Sequence, residues 1–118
     1  METFSIKDLH IDHMVPFVAY RNNDLWNLLP TLGSVNIKKS DRIPSVELLS
    51  RNPIRERIIS YWENLFAKFP RQFKSEIQVS LLGRHPFSMR RWQVDSYENL
   101  KGLCNHLVED RGFEIFTI

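Results

Sequence analysis

The sequence predicts an α+β fold in which a small N-terminal two-stranded unit packs on a mainly helical extension. Three observations point that way. Apolar and polar residues alternate loosely in FSIKDLHIDH (4–13), as they do in a half-buried strand. From residue 54 onward apolar residues recur at helical spacing instead. The last six residues, FEIFTI, return to a β-rich composition. A chain of 118 residues can bury a modest core without staples, so residues 1–118 are read as a single domain. Within it, residues 4–44 form the two-stranded unit and 45–118 the helical extension with a C-terminal strand.

Each element has a local cause. Phe4, Ile6, Leu9 and Ile11 share one side of the first strand if a bulge lies between Ile6 and Leu9. Pro16 lacks a backbone donor and ends it. YRNND (20–24) has loop composition, and residues 26–32, broken by Pro30, return as a second strand. Gly33 and Ser34 supply a turn and an N-cap for a short helix through Asn36, Lys39 and Ser40, stopped by Pro44. After Pro53, the residues Ile54, Ile58, Ile59, Trp62, Leu65, Phe66 and Phe69 form one helical stripe. A second helix follows Pro70, uses Phe73, Ile77, Leu81 and Leu82, and ends at Gly83. A third opens with Asp95 as N-cap and Glu98 in the capping-box position. It buries Leu100, Leu103, Leu107 and Val108 and stops at Gly112, after which FEIFTI pairs with an edge of the first hairpin.

Composition narrows the class. At 42% hydrophobic and 25% charged, the chain is ordinary for a globular protein. The single Cys104 excludes an internal disulfide and a Cys-rich zinc cluster, and reads as a small buried hydrophobe. No run approaches the ~18 apolar residues of a membrane span, and no signal-peptide pattern opens the chain. A cytoplasmic, reduced setting with no membrane partner is expected. The net charge is only +2, but residues 1–94 hold 14 Lys and Arg against 9 Asp and Glu, and residues 95–118 hold 2 against 5. A basic body of this kind suits a polyanion such as nucleic acid.

The informative stretch is residues 10–45, HIDHMVPFVAYRNNDLWNLLPTLGSVNIKKSDRIPS. Asp12 and His13 precede the apolar pair Met14 and Val15 and then Pro16. Asn27 follows His13 by 14 residues, and Asn36 follows Asn27 by nine. Lys39, Ser40, Asp41, Pro44 and Ser45 complete the pattern. This stretch resembles the HNH nuclease motif, and most closely the HNH domains of RNA-guided CRISPR effector nucleases. The resemblance covers about a third of the chain and implies a ββα-metal finger at residues 4–44.

The resemblance also implies an enzyme, a metal-dependent endonuclease that hydrolyses phosphodiester bonds in nucleic acid, with DNA favoured over RNA as the substrate. His13 would be the general base, since an imidazole takes and releases a proton near neutral pH. Asp12 and Asn36 would be metal ligands, their oxygens suiting one hard ion, Mg²⁺ or Mn²⁺, and no zinc. Asn27, grouped with His13 in the catalytic set, would tie the connecting loop and fix the backbone that presents His13. Adjacent strand residues point to opposite faces, so the strand must break at His13 for both groups to serve one site.

Other residues are read more locally. Lys39, three residues after Asn36, is either a phosphate contact or a solvated helix lysine. Arg84, Arg90 and Arg91 beside Phe87 and Trp92 form a candidate substrate-binding loop. His10 is read as a neighbour of the site rather than a ligand, His85 and His106 show no partner spacing, and the aromatics between 61 and 73 belong to the core. The alternative to an active nuclease is a catalytically weak module of the same fold that binds nucleic acid or docks on a protein. The chain's abrupt start at the first strand hints at a module of a larger effector complex.

Overall fold

The computed structural model describes residues 9–32 and 41–116. The predicted short helix through Asn36 and Lys39 lies outside these residues, as do Phe4 and Ile6. The fold is α+β. Strand β1 (Leu9–His13) pairs antiparallel with β2 (Leu28–Leu32), in a register that sets Asp12 opposite Leu29 and His13 opposite Leu28. Pro30 is tolerated because, among the described residues, β2 pairs with β1 alone. Two differences from the sequence reading appear in this hairpin. Residues 25–27 form a 3₁₀ turn, so β2 begins only at Leu28. Ile11 is 67% exposed and does not line the core. The core instead takes the consecutive pair Met14 and Val15, where the strand alternation has ended.

Helix α1 (Val46–Ser50) was not foreseen; Ser45 caps it, its Oγ accepting from Leu48 N at 3.0 Å. Helix α2 (Asn52–Lys68) starts on Pro53 and buries Ile58, Trp62 and Leu65. Phe69, expected to extend this stripe, is exposed because the chain turns there. Helix α3 (Pro70–Ile77) runs into a π-helical turn, Gln78–Leu82, that buries Leu81 and Leu82 and closes at Gly83, whose φ is +59°.

Helix α4 (Trp92–Glu109) begins three residues before the expected cap. Trp92 is buried among Phe66, Phe73 and Phe87, and this packing sets where the helix begins. Asp95 therefore sits in the first turn and bonds outward instead, to His85 Nε2 at 2.9 Å and Arg91 at 3.5 Å. His85 thus has a partner, and His106 pairs with Asp110 at 2.7 Å, four residues on. After Gly112 (φ +75°) the chain turns into β4 (Ile115–Phe116). This strand pairs parallel with β3 (Ile43–Pro44), not with the hairpin edge. Ile43 N donates to Glu114 O at 2.8 Å and Ser45 N to Phe116 O at 2.9 Å.

Residues from both halves enter one buried cluster. Met14, Val15 and Trp26 meet Ile58, Trp62, Phe73, Ile77, Leu100 and Cys104 there. Trp62 packs edge-on against Trp26 and Tyr97, and its indole Nε1 donates to Trp26 O at 2.9 Å. Burial pushes the Tyr97 phenol up, and its hydroxyl donates to Leu49 O at 2.7 Å. Cys104 is 1% exposed, as expected for a packing residue. Among the described residues, no helix is long and apolar enough to cross a membrane.

Candidate active site

The site is built where β1 stops. Beyond His13 the chain no longer follows β2; the next two amides turn instead to a single residue, Asn27. Met14 N donates to Asn27 O at 2.8 Å and Val15 N to Asn27 Oδ1 at 2.8 Å. The amide Nδ2 of Asn27 donates back to Val15 O at 3.1 Å and to Asn22 O at 3.0 Å. Asn27 is 0% exposed, and its one side chain satisfies two buried backbone groups of Val15 and the partly buried carbonyl of Asn22, locking the two ends of the loop together. The loop then folds on Pro16, whose carbonyl accepts from Ala19 and Tyr20, both at 3.0 Å.

His13 emerges from this lock half-buried. Its Nε2 donates to Asn23 Oδ1 at 2.7 Å, and the Phe17 ring lies 5.5 Å from the imidazole at a tilt of 48°. Asp12, also half-buried, precedes it on the last turn of the strand ladder. Asn27, His13 and Asp12 are thereby gathered at one end of the hairpin.

Residues 1–45 match the HNH endonuclease family model.

A search of curated proteins finds no match. The HNH segment takes in both strands of the hairpin and the sequence positions of Asp12, His13, Asn27, Asn36 and Lys39; helices α1 to α4 lie beyond it. Asn36 and Lys39 fall outside the described residues. Among the described residues, no three His, Cys, Asp or Glu side chains gather as a ligand cluster.

Arg90 and Arg91 sit, exposed, in the turn that leads into α4. Arg91 shares the Asp95 carboxylate with His85. The aromatic half of that loop is committed to packing, because Phe87 stacks on buried Trp92 at 12° and lies under Lys74 Nζ at 4.8 Å. These rings are not open platforms for bases.

Sequence reasoning missed the residues that hold the loop around His13. Asp24 Oδ2 accepts from Asn22 Nδ2 at 2.9 Å, from Trp26 Nε1 at 3.1 Å and from Ser80 Oγ. Ser80 belongs to the π-helical turn, and Glu76 of α3 accepts Leu25 N at 2.9 Å. Two residues of the helical extension therefore reach across to fasten residues 22–25. A cluster of Asn and Asp in a loop is the only trace of this in the sequence, and such clusters are common in solvated turns.

Proposed function

We propose that the chain is a metal-dependent endonuclease that hydrolyses DNA phosphodiester bonds with His13 as general base. The observation that carries the reading is the Asn27 lock, which ends β1 at His13 within a segment matching the HNH family. His13 takes a proton from water as that water attacks phosphorus, and the pentavalent centre then expels the sugar oxygen. Asp12 and Asn36 would hold one divalent cation, and their hard oxygen donors fit Mg²⁺ or Mn²⁺. When bound, the ion supplies Lewis-acid stabilisation of the charge that develops on phosphate and leaving oxygens. Lys39 would add a positive charge beside the phosphate.

The reading extends to a working context in which this chain is the nuclease module of a larger effector, such as a CRISPR-type complex. The primary test is incubation with plasmid and single-stranded DNA in Mg²⁺, Mn²⁺ or EDTA. Cleavage that needs the metal is expected, and its absence on every substrate would remove the activity.

Two further outcomes separate the assigned roles. Calorimetric titration of Mn²⁺ should give clearly weaker binding in Asp12→Ala and Asn36→Ala than in the parent. Affinity unchanged in Asp12→Ala would mean that the ligand set is wrong. Affinity for duplex DNA should also fall steeply with salt, each neutralised phosphate contributing a slope of about −0.9. Charge reversal at Arg90 and Arg91 should flatten that slope while leaving turnover at saturating DNA intact. Reversal at Lys39 should lower turnover as well. If the Arg90 and Arg91 variant keeps both affinity and slope, that turn is solvated surface.

A further inference from the structure

We infer that the turn at residues 84–91, which lies outside the segment matching the HNH family, clamps duplex DNA: Arg84 and Arg90 take backbone phosphates, and Met89 enters the groove between them. This deepens the reading of the chain as acting on DNA and rests on it. Arg84, Arg90 and Arg91 are all exposed. Asp95, the carboxylate beside them, is already shared by His85 and Arg91. Among the described residues, Arg84 and Arg90 enter no ion pair, so their charge is left for a polyanion. Lys74 Nζ, over the Phe87 ring at 4.8 Å, adds a further cation beside them.

Exposed arginines in a turn are ordinarily just solvated, but this turn is held at both ends. Gln78 Nε2 donates to Gly83 O and His85 O, both at 2.9 Å, which fixes the backbone around Arg84. Ser88 O accepts from Arg91 N at 3.1 Å and Trp92 N at 2.8 Å, and Ser88 Oγ accepts from Arg90 N at 3.3 Å. Phe87 stacks on buried Trp92, so residues 88–91 are anchored on both sides. Met89 is nonetheless 70% exposed, an apolar side chain among cations. That combination suits a duplex groove, with the cations on phosphates and the apolar group against the bases. The packed rings leave no stacking platform of the kind that single strands use, which favours the duplex. Position fits as well. Ser80, which holds Asn22 and Asp24 of the loop beside His13, precedes Arg84 by four residues, a reach of at most about 14 Å. One duplex turn rises about 34 Å and can touch both.

The test is fluorescence anisotropy of the full chain with a labelled DNA duplex, and with its single strand, across a salt series in EDTA. Each phosphate contact contributes a salt slope of about −0.9, which amounts to roughly 8-fold in affinity at 0.1 M salt. Arg84→Ala and Arg90→Ala should each lose that factor and flatten the slope by one such step, more on the duplex than on the single strand. Met89→Gln should weaken duplex binding by about tenfold with the slope unchanged, because it removes apolar contact and no charge. Arg111 is an exposed cation beyond the far end of α4, about 27 Å along that helix from the turn. Arg111→Ala removes the same charge and should change little. Thermal melts check that each variant is folded. A parent that does not bind the duplex, parental Kd and slope in Arg84→Ala and Arg90→Ala, or an equal loss in Arg111→Ala would overturn the clamp. The turn would then be solvated surface or a seat for an acidic protein. Parental affinity in Met89→Gln would overturn the groove contact. If the variants bind as expected but the parent cuts no DNA, the clamp stands and the nuclease reading falls. If the parent cuts DNA and the variants bind as it does, the clamp alone falls.

Discussion

His13→Ala should lower turnover by about 10²–10⁴-fold, the usual consequence of removing a general base, while the protein stays folded. The separation of the two effects follows from where the side chain sits. His13 is half-buried, with Asn23 Oδ1 and the half-exposed Phe17 ring against it. Truncation opens no cavity in the core around Trp26 and Trp62. The measurement pairs single-turnover cleavage at saturating DNA and Mg²⁺ with a thermal melt. Cleavage at the parent rate would remove His13 from the chemistry. Lost cleavage with an unchanged melt is the expected pair.

Asn27→Ala should do the opposite kind of damage. The lost amide leaves the buried Val15 N and Val15 O, and the partly buried Asn22 O, without their partner. An unsatisfied buried group typically costs about 1–3 kcal/mol, so a total on the order of 3 kcal/mol is expected even after local relaxation. For a chain of this size that lowers Tm by on the order of 10 °C. Cleavage should fall as well, because the backbone that ends β1 at His13 is released. Mn²⁺ affinity should change far less than in Asp12→Ala. Differential scanning calorimetry gives the first result directly. A melt that coincides with the parent's would mean that water replaces the amide and that the lock is not structural.

What the sequence makes legible here is what depends on residues close along the chain. The stripe Ile58, Trp62 and Leu65, the restarts at Pro53 and Pro70, and the stop at Gly83 all follow from local spacing and backbone restrictions. The end of β1 is also local, since Pro16 lacks a backbone donor, although the strand keeps His13 in register opposite Leu28 and stops just after it. What escapes depends on partners far apart. Asp24 looks like any loop acid until Ser80, 56 residues on, is placed against it. The start of α4 was misjudged because the capping pattern at Asp95 is weaker than the packing of Trp92 against Phe66, Phe73 and Phe87. The C-terminal strand was foreseen, but a two-residue segment carries no register information that distinguishes β3 from the hairpin edge.

The long reach of the Ser80 and Glu76 hydrogen bonds has a consequence for how the protein is made. Synthesis delivers the hairpin first, and Trp62, Glu76 and Ser80 follow 36, 51 and 56 residues behind their partners Trp26, Leu25 and Asp24. Closing loops of that length costs chain entropy that only the assembled helices repay. A ribosome-bound fragment ending before residue 76 would therefore carry both strands with the 22–25 loop still unfastened. The loop beside His13 gains its final shape late, when α3 and the π-helical turn have docked, so its readiness is timed by the helices rather than by the strands that bear it.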